Sequence, residues 1–264
     1  MKKYLVVGNP IKHSLSPELH NFWIKSNNIS AVYEKKQTND DELGDLILEM
    51  KKKILHGINV TVPFKKTIIT HLDHLSFESE KTQSVNTIYL NNNKIIGHNT
   101  DIEGFERSIK KSKLDIANKK VFILGAGGVV PSIIFALNKM KVLKIIISNR
   151  TKSKAESLKD LFNNLTVVEW GEVPEFDIII NATSIGLTEG DEIDLDISNV
   201  GKNKFFYDVI YKPGETNFLK IGKKLGNRTE NGKMMFIYQA LAAFNVWHGI
   251  QPKISKEVIE LLNQ

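Results

Sequence analysis

The stretch GINVTVPFKK, residues 57–66, alternates apolar and polar residues, then ends in a proline, a phenylalanine and two lysines. Read as a strand over 58–62, it turns Ile58, Val60 and Val62 one way and Asn59 and Thr61 the other, with the polar pair about 6 to 7 Å apart. A parallel strand buried on both faces is usually apolar throughout. An amide and a hydroxyl near a strand's carboxyl end suit a ligand instead, because open α/β sheets bind ligands outside those ends. Pro63 stops the strand, and Lys65 adds a cation. Polar groups sit at similar places elsewhere: Ser14 and Ser16 after the first apolar run, Asn86 in SVNTI, Asp101 closing GHNTD, and Gln239 inside an apolar run. Each alone serves as an N-cap, a turn or a satisfied core amide. Together they offer hydroxyl, amide, cation and carboxylate to a small polyhydroxylated acid.

A second constellation is VFILGAGGVVPSIIFAL, which sets Gly125, Ala126, Gly127 and Gly128 between an apolar strand and an apolar-periodic helix. Glycine there permits a tight turn and a close backbone approach, so that the helix N-terminus binds a pyrophosphate. Val130 and Pro131 stand where the fingerprint has its third small residue; proline is tolerated in a first helical turn, and a slightly shifted helix start is expected. At the end of the next strand, KIIISNRTKSK, an NAD site would carry an acid for the ribose 2′-hydroxyl. Asn149, Arg150, Thr151 and Lys154 stand there instead, two cations and two small polar groups suited to a 2′-phosphate. The cofactor they imply is NADP.

The elements that position these groups alternate. KYLVVGNP reads as a strand, SPELHNFWIKSNN as a helix with Ser16 at its N-cap and Pro17 at its first position, VYEKKQT as a strand, DDELGDLILEMKKK as a helix with acids first and lysines last, and GINVTV as a third strand. That β-α-β-α-β series favours a parallel, doubly wound sheet. KTIITHLDHL reads as helix, SVNTIYLNNNKIIGHNTD as a hairpin and IEGFERSIKKS as the start of a helix. A second alternating series follows, KKVFIL, the glycine loop, SIIFALNKM, KIIISN, KSKAESLKDLF, TVVEW, FDIIINAT and FFYDVI. MMFIYQALAAFNVWHG is apolar enough to be a helix buried on more than one side.

Composition bounds the rest. A chain of 264 residues suits two domains, and 41% hydrophobic with 25% charged residues is globular. The net charge of +6 comes from 33 lysines against three arginines, spread over almost every segment rather than clustered, so nucleic acid is not an expected partner. Cysteine is absent, which excludes disulfides, thiolate metal sites and a cysteine nucleophile. The seven histidines show no ligand spacing, so no metal is expected. The apolar run of MKKYLVV ends at Gly8, short of a signal core, and no run approaches the ~18 apolar residues of a membrane helix. A cytoplasmic protein with no membrane partner is expected.

The segments GNPIKHSLSP, GINVTVPFK, SVNTI, GHNTD, GAGG, NRT, NATSIG, DVIYKP and NGKMMFIYQALAAF, in this order, resemble the shikimate dehydrogenase family nearly end to end. The resemblance implies two α/β domains. A mixed α/β substrate domain takes residues 1–101 and 238–264, and a Rossmann-like parallel-sheet NADP domain takes 102–237. It implies reduction of 3-dehydroshikimate to shikimate in aromatic amino-acid biosynthesis, with Lys65 as general acid/base and Asp101 orienting it. A quinate/shikimate dehydrogenase is the alternative. Ser14, Ser16, Asn59, Thr61, Asn86, Gln239 and Tyr211 would hold the substrate, while Thr183, Val209 and Gly232 would lie near the nicotinamide. A second copy of the chain, in a homodimer, is a further candidate partner.

Overall fold

The computed structural model describes residues 1–188 and 190–262; residues 263 and 264, at the end of the expected substrate domain, lie outside the described residues. The chain divides into two compact units, one of Met1–Gly104 with the chain from Ile237 onward, the other of Phe105–Phe236.

The first unit holds strands β1 (Lys2–Gly8), β2 (Ala31–Gln37), β3 (Gly57–Val60), β4 (His74–Leu75), β5 (Thr87–Asn91) and β6 (Lys94–His98), in the order β2-β1-β3-β5-β6-β4. β1 runs parallel to β2 and β3. The hairpin β5–β6 is antiparallel, and β5 is antiparallel to β3. The alternating series therefore builds only half of this sheet, and the Asn-rich hairpin turns it into a mixed one. Helix α1 spans Ser16–Ser26, and α2 spans Leu43–Lys51. α2 buries Leu43, Leu46, Ile47 and Met50, the i, i+3, i+4, i+7 stripe of an amphipathic helix, against Leu5, Val7, Ile58 and Val60.

Three local expectations are corrected. Leu15, not Ser16, is the N-cap of α1; Ser16 is already helical, and its amide donates to Ser14 Oγ at 3.3 Å. β3 ends at Val60: the Thr61 amide makes the last bond of the ladder to β1, donating to Val7 O at 2.9 Å, and the chain then turns over 62–66, with the Phe64 amide donating to Thr61 O at 3.0 Å. KTIITHLDHL is a 3₁₀ turn over Thr67–His71 followed by β4. Its β-branched run Thr67-Ile68-Ile69-Thr70 is a poor α-helix former, and Asp73 accepts the Ile95 amide at 2.7 Å, tying the segment to the sheet.

The second unit's strands are β7 (Lys120–Leu124), β8 (Lys144–Ser148), β9 (Leu165–Val168), β10 (Ile178–Asn181), β11 (Phe205–Asp208) and β12 (Arg228–Glu230). They form an all-parallel sheet in the order β12-β11-β10-β7-β8-β9. The strand order reverses at β7, which puts the switch point, where such folds take their ligands, at that strand's carboxyl end. After α3 (Phe77–Thr82) come α4 (Asp101–Lys111), α5 (Val130–Lys139), α6 (Lys152–Glu156), α7 (Asn217–Lys224), α8 (Lys233–His248) and α9 (Lys256–Leu261). α5 starts at Val130, fully buried, with Pro131 in its first turn. In α8, Ile237, Ala240, Leu241, Ala243 and Phe244 are all buried, covering more than one helix face. Trp247 lies so close over β3 that a Cβ at Gly57 would overlap its indole, and its Nε1 donates to Ile88 O at 3.0 Å. That contact fixes the end of α8 on the first sheet.

His20 is 1% exposed, neither ring nitrogen has a partner, and its ring stacks on Tyr33 at 4.2 Å and 4°. Burial, with a smaller contribution from His248, lowers its pKa to about 3. The unfolded chain takes up this proton near pH 6.5 and the folded one does not, so stability falls as pH drops from about 6.5 toward 3, by up to ~1.4 kcal/mol per pH unit. His20→Phe keeps an aromatic ring in the stack and removes the titration. Urea midpoints of the two proteins should separate in the variant's favour between pH 7 and 4.5; parallel curves would show that His20 does not set acid stability.

Candidate active site

In the first unit the turn after β3 and the start of α4 bring Lys65 to Asp101. Phe64 is buried in the core, and Val85 donates its amide to Lys65 O at 2.8 Å, so the turn is anchored on both sides of the lysine. Asp101 opens α4, where a helix macrodipole favours negative charge, and its amide donates to Asn99 Oδ1 at 3.1 Å. Lys65 Nζ lies 2.5 Å from Asp101 Oδ2, both side chains being about nine-tenths buried. Asn86 Nδ2 donates to the other carboxylate oxygen at 2.8 Å, while Asn86 Oδ1 accepts the Thr100 amide at 2.8 Å. Asn86 thus fixes the carboxylate, and the carboxylate fixes the lysine. An ammonium has three donors; one is spent on Asp101, which leaves two for a ligand oxygen.

The remaining polar groups of this unit form a continuous chain. Asn59 Nδ2 donates to Asn86 O at 2.9 Å and to Thr87 Oγ1 at 3.0 Å, and its Oδ1 accepts from Tyr33 Oη at 2.7 Å. A main-chain carbonyl can only accept, so it sets the Asn59 amide's orientation, and with it the direction of the Tyr33 proton. Ser14 Oγ donates to Ser16 Oγ at 3.2 Å, and the Ser16 side chain lies beside the Tyr33 hydroxyl. Gln239 on α8 completes the group, its Oε1 lying 3.5 Å from Asn86 Nδ2. Ser14, Ser16, Asn59, Asn86, Gln239, Lys65 and Asp101 are therefore one network, with both Asn59 N–H groups already committed to the protein. Tyr33 is the member that sequence reasoning missed; it sits in an ordinary-looking strand, and its hydroxyl is a buried polar tip that needs a partner.

Thr61 stands apart. Its methyl packs on β1, where a Cβ at Gly8 would lie 2.5 Å from Thr61 Cγ2, and its hydroxyl has no hydrogen bond to any described residue. Thr61→Val keeps that methyl contact and deletes only the hydroxyl. Folding should be nearly unchanged while the substrate KM rises by about 5- to 30-fold, the loss of one hydrogen bond of about 1 to 2 kcal/mol. An early-melting variant with unmoved KM would assign Thr61 to packing.

The second unit presents the glycine loop at the carboxyl end of β7. Gly125 has φ +110°, and a Cβ there would meet Ala182 O at 2.8 Å, so only glycine fits. At Gly127 a Cβ would meet nothing within 4 Å, and Gly127 and Gly128 are exposed beside half-buried Ala126, a cradle open to a phosphate. Beyond β8, Asn149 Nδ2 donates to Thr151 O at 2.7 Å and shapes the turn into α6; the Thr151 side chain makes no cap bond there. Arg150 and Lys154 are exposed and take no acidic partner among the described residues, whereas neighbouring Lys152 pairs with Glu169 and Lys159 with Glu156. No acid follows β8 until Glu156. These residues fit a dinucleotide carrying a 2′-phosphate.

At the carboxyl ends of β10 and β11, Thr183 Oγ1 and N donate to Asn181 Oδ1 at 2.7 and 3.1 Å, so its hydroxyl also organises the NATSIG turn. A Cβ at Gly232 would overlap the Val209 carbonyl, a packing reason for that glycine. Tyr211 stacks on Phe236 at 4.4 Å within this unit.

Comparison with known proteins gives a consistent result. A family model described as the shikimate dehydrogenase substrate binding domain matches residues 6–88, and one described as shikimate / quinate 5-dehydrogenase matches residues 108–189. The chain is 58% identical over 262 residues to the shikimate dehydrogenase (NADP(+)) of Pelagibacter ubique, covering 99% of both chains. It superposes on shikimate dehydrogenase from Aquifex aeolicus with a TM-score of 0.90 at 36% identity, over 99% of this chain and 97% of that one. It likewise superposes on the shikimate 5-dehydrogenase of Thermus thermophilus in complex with NADP(H) and shikimate, TM-score 0.90 at 29% identity, over 99% and 98% of the two chains.

Proposed function

Since the chain belongs to the shikimate dehydrogenase family, we propose that its first unit holds the substrate, its second holds NADP, and Lys65 is the proton donor and acceptor of the reaction. The protein is an NADP-dependent oxidoreductase that interconverts 3-dehydroshikimate and shikimate in aromatic amino-acid biosynthesis. Bound NADPH supplies the hydride. The chain's own part is position and charge. Lys65, with two N–H donors to spare, delivers a proton to the oxygen of the ring carbonyl as it becomes an alcohol. Asp101 and Asn86 hold Lys65 in place, and Ser14, Ser16, Asn59, Thr61, Asn86 and Gln239 bind the acid's carboxylate and hydroxyls. The observation that carries this reading is the buried 2.5 Å contact between Lys65 and Asp101 within the network of polar groups.

In the second unit Gly125, Ala126, Gly127 and Gly128 receive the pyrophosphate, Asn149, Arg150, Thr151 and Lys154 receive the 2′-phosphate, and Thr183, Val209 and Gly232 line the nicotinamide end; Tyr211 is a further substrate-binding residue. The enzyme works in the cytoplasm; no described helix is long and apolar enough to cross a membrane. Quinate is the second reading, favoured by the description shikimate / quinate 5-dehydrogenase for residues 108–189. Shikimate and quinate, each offered with NADP and with NAD, separate the readings when reduced nicotinamide is followed at 340 nm. Turnover with shikimate and NADP is expected to dominate; equal turnover of quinate would make the second reading the correct one.

A further inference from the structure

Among the described residues, three Lys, Arg, Asp or Glu side chains are buried: Lys65, Asp101 and Asp208. The first two neutralise each other. Asp208 has no such partner. It closes β11 fully buried, in register with Asn181 of β10. Its carboxylate is held by three neutral donors, Thr216 Oγ1 at 2.6 Å, the Ile210 amide at 3.0 Å and Asn181 Nδ2 at 3.1 Å. No described cation is paired with it. A charge in that situation is costly unless something nearby compensates it.

The sheet order indicates what that is. The glycine loop follows β7 and Arg150 follows β8, so the phosphate and adenosine parts of a dinucleotide occupy that side of the switch point. β10 and β11 lie on the other side of β7, and the nicotinamide half must extend over their carboxyl ends, where Asn181 and Asp208 stand. A nicotinamide ring is cationic when oxidised and neutral when reduced.

We propose that Asp208 is a fixed counter-charge for the oxidised nicotinamide ring, making this protein hold NADP⁺ more tightly, relative to NADPH, than an uncharged residue there would allow. This rests on the NADP reading above. The three donors keep the carboxylate in place without cancelling its charge, and Thr216, which also caps α7 by accepting the Leu219 amide, makes its position independent of any ligand.

The test is a binding measurement without turnover. NADPH fluorescence titration, with NADP⁺ as competitor, gives both dissociation constants for the wild type and for Asp208→Asn. The expected result is a Kd for NADP⁺ that rises about tenfold more than the Kd for NADPH, the scale of one charge–charge interaction at close range in a partly screened site. A purely structural role would weaken both forms by the same factor, and that outcome, or no change in either, overturns the proposal. If the wild type binds neither form, the NADP reading itself falls, and this inference with it.

Should Asp208→Asn not fold, the wild type reads the same quantity. Burial pushes the Asp208 carboxyl up to about 6. The 2′-phosphate is common to both cofactor forms, and the second unit contains no histidine. The elements packed on β11 carry Arg228 and Glu230 on β12 and Lys220, Lys223 and Lys224 on α7, with Asp191, Lys212 and Glu215 on the adjoining loops, none bonded to Asp208; Glu230, opposite Tyr207 in the register, is also raised by burial. Burial keeps the Tyr207 phenol un-ionised throughout. The preference for NADP⁺ over NADPH should decline between pH 8 and pH 5, and a ratio constant across that range overturns the proposal.

Discussion

Lys65→Met is expected to lower kcat by about 10²- to 10⁴-fold, the usual contribution of general acid–base catalysis, while the substrate KM moves far less. Methionine keeps most of the side-chain length and packing of lysine but neither donates nor accepts a proton. The binding groups Ser14, Ser16, Asn59, Asn86 and Gln239 are held to one another rather than to Lys65, so the substrate site survives the change. Removing one partner of a buried ion pair is itself destabilising, typically by about 3 to 5 kcal/mol, because the other charge is left alone. Here Asn86 and the α4 N-terminus still support Asp101, which should keep the loss below that range. A melting curve taken with the kinetics separates folded fraction from chemistry. Asp101→Asn should give a second loss, and the double variant should be little worse than Lys65→Met alone, since the two act as a unit. A variant with near-normal kcat and a steeply raised KM would make Lys65 a binding cation only.

Arg150→Ala should weaken NADP binding by about 1.5 to 3 kcal/mol, or roughly 10- to 150-fold, the range of a hydrogen bond to a charged group, and barely alter binding of NAD. The structure makes this a clean experiment. Arg150 is exposed and has no acidic partner among the described residues, so nothing in the fold depends on its charge. Titration of each variant with both cofactors gives the selectivity ratio directly. Equal losses for NADP and NAD would assign Arg150 to the shape of the turn and leave Lys154 as the remaining candidate for the 2′-phosphate.

Much was determined by sequence alone. The second unit's series of apolar strands and periodic helices, and the three glycines after β7, follow from local rules: buried parallel strands are apolar on both faces, and a backbone that turns tightly at positive φ admits only glycine. The absence of an acid after β8 is equally local. These features were legible because hydropathy and backbone sterics act between near neighbours. The exceptions in the first unit were local contests that the sequence left open: the β-branched run at 67–70, tied to the sheet when Asp73 accepted the Ile95 amide, and the early end of β3, where the Phe64 amide turns back to Thr61 O. Side-chain partnership was a matter for the tertiary structure. Lys65 meets Asp101 across 36 residues, Tyr33 meets Asn59 across 26, and Asn86 meets Gln239 across 153. Strand alternation put Asn59 on the side of a ligand, but only the fold shows that both its N–H groups are spent on the Asn86 carbonyl and Thr87 hydroxyl, since buried N–H groups must be satisfied, which leaves its oxygen to accept from a ligand hydroxyl. Nor does any spacing reveal that Asp208 has three donors and, among the described residues, no paired cation. Periodicity encodes which way a side chain points along its own element; which charges and hydrogen-bonding groups it then meets depends on how distant segments pack, and only the folded chain decides that.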